Sequence, residues 1–291
     1  YFLGDYAGHK NYDRDVLVYN TGSKDSSIYQ IKDYYKKITS QKCCSVFHYN
    51  ESLGEKNSVK KAEQELKNRY ESLENKYDKF LAENYDYKAN TYETNKINLL
   101  SNPTSLYAKQ PTVYYGLMYL AKNAKKEVKI HTPYIICNDY MYNELKNIKV
   151  PTTIMTNSAE NNGNIFGAVD YLNHKKDIIN TGVTIKEYEG GISYHGKSMT
   201  IDDDIAIVGS FNMDMRSAYI DTELMLVINS KDINKQLKAS MEEYEKKAAT
   251  VKNETEYSHI PEGMKMKELS DKKKNIKAWF GWAMNGLRFL F

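Results

Sequence analysis

The chain has 291 residues, 41% of them hydrophobic, which suffices for one large or two ordinary domains with a sizeable core. Its 41 basic and 38 acidic side chains leave a net charge of +3, too small to announce a polyanion partner, so any pull toward nucleic acid or a membrane must come from local clustering. Three cysteines, the adjacent Cys43 and Cys44 and a distant Cys137, make no disulfide framework and fit a reducing compartment, and no run of about 18 apolar residues offers a transmembrane helix.

The chain opens at Tyr1 rather than Met, without a signal peptide, which suggests a missing beginning. Asp13-Arg14-Asp15-Val16-Leu17-Val18, followed by Ser23-Lys24-Asp25 and a helical pattern, echoes Asp221-Thr222-Glu223-Leu224-Met225-Leu226, followed by Ser230-Lys231-Asp232 and another helix. Such an echo is what an internal duplication leaves behind. From Ser58 to Leu81 the spacing of Leu66, Tyr70, Leu73, Tyr77 and Phe80 predicts a helix, too short in its repeat for a coiled coil and so expected against the domain.

Asn102-Pro103 marks a turn, Pro111 opens an apolar helix through Leu120, and Glu127 to Thr132 reads as a strand ending at Pro133. A strand over Thr152 to Thr156, a helix over Ile165 to Ile179 and a strand over Val183 to Tyr188 follow. On that helix His174, Lys175 and Lys176 are expected on a solvated face. His9, His48 and His259 sit in no supporting pattern. The alternation of strands and helices predicts an α/β fold, a layered α-β-α sandwich with a mostly parallel mixed sheet.

Between Gly190 and Ile228 the chemistry concentrates. Ser193 to Asp202 reads as a strand, and side chains two apart on a strand share a face, so His195 and Lys197 project together. Ile205 to Val208 reads as a short buried strand that breaks at Gly209-Ser210, presenting Ser210 and Asn212 as hydrogen-bond donors. An imidazole, an ammonium and neutral donors, with no cysteine or second histidine nearby, suit an anion such as phosphate better than a metal. No metal and no cofactor is expected.

The array His195-x-Lys197-x4-Asp202, then Gly209-Ser210-x-Asn212, resembles the second catalytic motif of the phospholipase D superfamily, the HKD enzymes. Asp214-Met215-Arg216-Ser217 and the strand from Thr222 to Ile228 are similar to the bacterial cardiolipin synthase branch more than to the nuclease branch, and Thr132-Pro133-Tyr134 resembles that family's Ser-Pro-Tyr segment with threonine for serine. The resemblance implies a duplicated protein whose halves face each other across a pseudo-two-fold cleft, of which this chain holds the second. It implies phosphodiester exchange without metal: one half's histidine attacks phosphorus to give a phosphohistidine, and the other's protonates the leaving alcohol.

On this reading His195, Lys197, Asp202 and Glu223 form the catalytic set, with Glu223 orienting the imidazole, and Lys197, Ser210 and Asn212 bind the phosphoryl oxygens. The position of Asp202, off the face of His195 and Lys197, suits an ion pair or turn cap better than chemistry. Asp15 would serve the histidine of the first motif, expected about 28 residues upstream of it and so before Tyr1, by the spacing of His195 and Glu223. The implied domains are 1–50, the tail of the first half; 51–105, helical and linker; 106–258, the second half; and 259–291, a basic amphipathic helix.

That last helix carries Ile276, Trp279, Phe280, Ala283, Met284, Leu287, Leu290 and Phe291 at helical spacing after Lys272-Lys273-Lys274. It suits an anionic membrane surface, or packing on the missing half or on the core. The expected partners are a glycerophospholipid, the bacterial cytoplasmic membrane through residues 272–291, and the missing N-terminal half, rather than nucleic acid. Two alternatives stay open: a single-motif, nuclease-like phosphodiesterase acting as a dimer, and a catalytically incomplete fragment.

Overall fold

The computed structural model describes residues 57–81, 86, 88–89, 91–104, 108–281, 286 and 288. The chain divides into two compact units, residues 1–87 and 88–291. The acidic repeat with Asp15, Cys43 and Cys44, and His9 and His48 lie outside the described residues. In the first unit helix α1 (Asn57–Leu81) forms where the apolar spacing places it, with Leu66 and Tyr70 exposed to solvent.

The second unit is built on a nine-stranded mixed sheet. Its strands are β1 (Lys96–Ser101), β2 (Val128–His131), β4 (Thr152–Asn157), β5 (Thr184–Tyr188), β6 (Ser198–Ile201), β7 (Ile205–Gly209), β9 (Leu224–Asn229), β10 (Ala248–Val251) and β11 (Tyr257–His259), in spatial order β1-β9-β7-β6-β2-β4-β5-β10-β11. Two short strands, β3 (Ile135–Ile136) and β8 (Met213–Asp214), pair in parallel as a separate ribbon.

The expected α/β mixed sheet is present, but not its mostly parallel pairing. Only β2-β4 and β4-β5 run parallel; the other neighbours are antiparallel. Connection length explains the difference. Parallel strands need a crossover of a dozen or more residues, and helices α3 (Asp139–Lys146) and α4 (Ile165–Ile179) supply it between β2, β4 and β5. Only Asp202, Asp203 and Asp204 join β6 to β7, so that pair must be a hairpin.

Helix α2 (Thr112–Lys122) packs with α3 and α4 on one face of the sheet. Val113, Leu117 and Met118 of α2, Met141 and Leu145 of α3 and Tyr171 and Ile178 of α4 meet Ile130, Ile154, Ile185, Met199, Ile207 and Met225 in one core. Helix α6 (Lys231–Glu245) crosses the other face, reaching strands from β5 to β9. Toward it β2 turns Lys129 and His131, the residues flanking the core-facing Ile130. Beyond the reach of α6 that face is apolar among the described residues. Ile97 and Leu99 of β1, Leu224 of β9 and Val208 of β7 are 51, 61, 48 and 36% exposed.

Strand β1 pairs with β9 along its whole length, so residues 96–101 belong to the sheet and not to the linker expected over 51–105. The C-terminal helix α7 (Asp271–Phe280) is likewise tied to the domain. Lys273, 7% exposed, donates to the carbonyls of Ala159, Glu160 and Asn162, and Asn173 of α4 donates to the carbonyl of Gly281. Arg288 reaches Asp170 and the carbonyl of Cys137. Of the expected basic face, Lys273 is therefore spent on the domain, while Lys272, Lys274, Lys277 and Trp279 stay exposed.

Candidate active site

His195 and Lys197 stand in chain without regular structure just ahead of β6, which starts at Ser198 and not, as expected, at Ser193. The side chain of Asn157, at the end of β4, occupies the backbone there. Its Oδ1 accepts from the Tyr194 N–H at 2.8 Å and its Nδ2 donates to the Tyr194 carbonyl at 2.9 Å, so no strand can take those groups. The alternation of side chains survives. Lys197 Nζ lies 3.0 Å from Nδ1 and 3.3 Å from Nε2 of His195 and donates to its carbonyl at 3.0 Å.

Burial first and the Lys197 charge second hold the exposed His195 imidazole below its ordinary value, so it is neutral at pH 7. Burial also lowers Lys197, against the opposing charges of Glu223 and Asp214. The Gly209 N–H donates to the Lys197 carbonyl at 3.3 Å, which brings the end of β7 beside the pair. A Cβ on Gly209 would strike the Leu224 carbonyl of β9, so the strands approach this closely only through glycine.

Ser210, Asn212 and Glu223 come together there, but not with the partners expected. Glu223, buried, accepts from the hydroxyl of Ser210 and, at 2.7 Å, from that of Ser217, rather than from the imidazole. The expected orienter of His195 is thus a clamp on the β7 turn. Ser210 has its hydroxyl proton on Glu223 and its N–H on the Leu224 carbonyl, so it supports Glu223 instead of offering a free donor to phosphate. Asn212 Nδ2 donates to Ser217 Oγ at 3.2 Å, and its Oδ1 is buried with no partner.

Ser217 and Asp214 are the site residues that motif reasoning missed. Ser217, wholly buried, links Asn212 to Glu223. Asp214 caps the short helix α5 (Met215–Tyr219), accepting from the Ser217 N–H at 2.5 Å, and burial pushes its carboxyl up to about 7. The available signal was a capping pattern, an aspartate three residues before a serine amide. Tyr134 borders these carboxyls, which with its burial raise its hydroxyl.

Asp202 is set apart from the other motif residues, past the far end of β6. With φ 51° it closes the β6–β7 hairpin in the left-handed region, and its carboxylate accepts from the N–H groups of Lys125, Lys126 and Glu127. It is a turn cap holding the entrance to β2, not a member of the catalytic set. Asp202→Ala is expected to cost about 2 kcal/mol by urea unfolding, and Asp202→Asn about half that, because asparagine tolerates the left-handed turn and keeps one acceptor. An alanine variant as stable as the parent would contradict this role.

The other histidine-lysine run is also corrected. His174 pairs with Asp177 at 3.0 Å, but Lys175 is buried and forms a 2.7 Å ion pair with Glu187, so the face is only partly solvated. Among the described residues no cluster of His, Cys, Asp or Glu is arranged to hold a metal ion, and no helix is long and apolar enough to cross a membrane.

Residues 117–244 match the family described as "Cardiolipin synthase, PLD-like domain". Cardiolipin synthase 1 of Staphylococcus epidermidis is 30% identical over 159 residues, covering 54% of this chain and 32% of its own length. Cardiolipin synthase 1 of Staphylococcus aureus is 26% identical over 192 residues, covering 63% of this chain and 38% of its own. The match thus spans about a third of the curated relatives' length. Among solved structures, phosphatidylserine synthase of Haemophilus influenzae superposes with a TM-score of 0.50 at 16% identity, over 67% of this chain and 48% of that one, a likeness of fold. The motif, the matched stretch and these relatives point one way: residues 117–244 are similar to the PLD-like domain of the cardiolipin synthases.

Proposed function

We propose that the chain supplies one half-site of an enzyme that exchanges phosphodiester bonds on glycerophospholipids, a phosphatidyl transfer of the kind that makes cardiolipin. The observation that carries this reading is the neutral His195 imidazole 3.0 Å from the Lys197 ammonium, in the cardiolipin synthase-like stretch. Nearby, Asn212 Nδ2 gives one proton to Ser217 Oγ at 3.2 Å and has a second to offer an anion.

The chemistry needs two imidazoles. One attacks phosphorus, forming a P–N bond as the P–O bond to the leaving alcohol breaks, and the other gives that alkoxide its proton. The acceptor hydroxyl then surrenders its proton to the second imidazole and displaces the first from phosphorus. By the resemblance His195 is the acid and base, while Lys197 and Asn212 stabilise charge on the phosphoryl oxygens. Of the other described histidines, His131 is buried with both ring nitrogens engaged, His174 is paired with Asp177 and His259 lies on the edge strand β11, five strands from β6, so none of the three is placed to be the second imidazole. That group comes from a second HKD half, and the apolar face of β1, β9 and β7 beside the site suits its docking. Exposed Trp279, Lys272, Lys274 and Lys277 suit contact with an anionic cytoplasmic membrane surface.

The test is the protein isolated from its own cells, given labelled phosphatidylglycerol in vesicles. Labelled cardiolipin with release of glycerol is expected. Cleavage of DNA with a steep salt dependence and no lipid exchange would favour a dimeric, nuclease-like phosphodiesterase instead, and sedimentation would show whether two copies form the site.

A further inference from the structure

Tyr194 precedes His195 and is fastened at both ends. Its backbone lies in the grip of Asn157, which donates also to the Pro133 carbonyl at 2.9 Å and is itself 1% exposed. Its hydroxyl lies 3.2 Å from Nδ1 of His131, whose Nε2 lies 3.2 Å from Glu245. Glu245 is an acceptor only, so Nε2 carries the proton and Nδ1 accepts from the tyrosine. Between these two ties the ring meets Tyr244 edge-on at 4.9 Å and Tyr188 at 5.8 Å. It folds back beneath Gly196, where a Cβ would run into its hydroxyl end. The residue between His195 and Lys197 therefore has no room for a side chain because of Tyr194.

We propose that Tyr194 is the positioning residue of His195: the Glu245–His131 pair anchors its ring, Asn157 anchors its backbone, and together they hold the imidazole against Lys197. Glu223 does not reach that imidazole, and among the described residues the loop from Gly190 to Lys197 meets β7 only at its last residue, where the Gly209 N–H donates to the Lys197 carbonyl. Ahead of that contact, its placement comes from β2, β4 and α6, through His131, Asn157 and Glu245. This inference rests on the reading of His195 as a reacting imidazole. Misplacing a reacting group by about 1 Å can cost 10²-fold in rate, which sets the scale of what the tether protects.

The experiment uses the full chain with ¹⁵N-labelled histidine and two conservative variants, Tyr194→Phe and Asn157→Asp. The first removes the tie to His131 and the second removes the donor to the Tyr194 and Pro133 carbonyls, and both keep the side-chain shape. Nuclear magnetic resonance is expected to show the His195 signals broadened or doubled, with its titration moved up toward that of a free imidazole as Lys197 drifts away. Turnover of phosphatidylglycerol is expected to fall about 10- to 100-fold with KM unchanged. His195 signals and titration superimposable on the parent in both variants would overturn the proposal. Should transfer persist in His195→Gln, the functional reading fails while the resonance result still judges the tether.

Discussion

His195→Gln is expected to lower phosphatidyl transfer at least about 10³-fold, with little change in KM for lipid and none in stability. The size follows from the role: a positioned acid and base contributes roughly 10²- to 10⁴-fold, and here one imidazole serves both halves of the exchange. Stability is spared because the imidazole is exposed and its neighbour is another polar side chain, Lys197. The pH profile carries a second, signed expectation. In the second step the proton-accepting form is the neutral one, and burial together with the Lys197 charge holds its pKa below 6.5, so the acid limb of that step, measured from the phosphohistidine, lies below pH 6.5. The first step, which needs the imidazolium, slows instead as the pH rises through the same pKa. Lys197→Met removes a positive charge that disfavours imidazolium, so the residual activity's acid limb moves upward, toward 6.5. A limb that stays put or moves down would show that the two side chains are not coupled as their 3.0 Å separation requires.

Much of this arrangement was legible from spacing alone, for a physical reason. His195 and Lys197 share a side through backbone alternation, which holds in any extended chain, so their meeting needed no knowledge of what surrounds them. The helix over 165–179 and the strands β2, β4 and β7 announced themselves in the same local way, through apolar periodicity bounded by proline, glycine or asparagine. What stayed hidden depends on distant partners. Glu223 stands 28 positions after His195, yet it serves Ser210 and Ser217, because β9 runs beside β7 and delivers the carboxylate to the turn, a pairing no short window displays. Lys175 reads as one of a solvated trio until β5 brings Glu187 against it. His131 looks like an ordinary strand histidine, since its partners lie 63 and 114 residues away. The mostly parallel sheet failed for a related reason: alternating elements fix the class, whereas the sense of each pair depends on which connections are long enough to cross over.

Glu245→Gln is expected to cost about 3 kcal/mol of stability at pH 7, and the cost should shrink as the pH falls. Glu245 is the anionic centre of the layer between α6 and the sheet, contacting Lys186 at 2.6 Å, His131 at 3.2 Å and Lys129 at 3.6 Å, with its side chain 7% exposed. Burial alone would raise its carboxyl. The hydrogen bonds from His131 and Lys186 and the charges of both lysines outweigh that, holding it at about 2 against an ordinary 4.5. A carboxylate with a lowered folded pKa contributes stability that is complete above its unfolded value and lost as the pH falls through its folded one, so the window here runs from about 4.5 down to about 2. At about 1.4 kcal/mol for each unit, the difference of 4.5 and 2 gives the expected magnitude. Glutamine keeps the shape and an acceptor for His131 but turns an amide toward the ammonium groups, leaving Lys186 without this counter-charge while Lys129 keeps Glu242 at 3.0 Å. His131 stays neutral through this exchange at pH 7, because burial holds it below its ordinary value. The check is urea unfolding of both proteins at pH 7, 4 and 3: a gap that narrows toward acid supports a charge-based role, and a gap of constant size would mean that glutamate matters here for packing alone. Because the same carboxylate anchors His131 under Tyr194, a stability loss confined to this window would also identify the charge from which the placement of His195 begins.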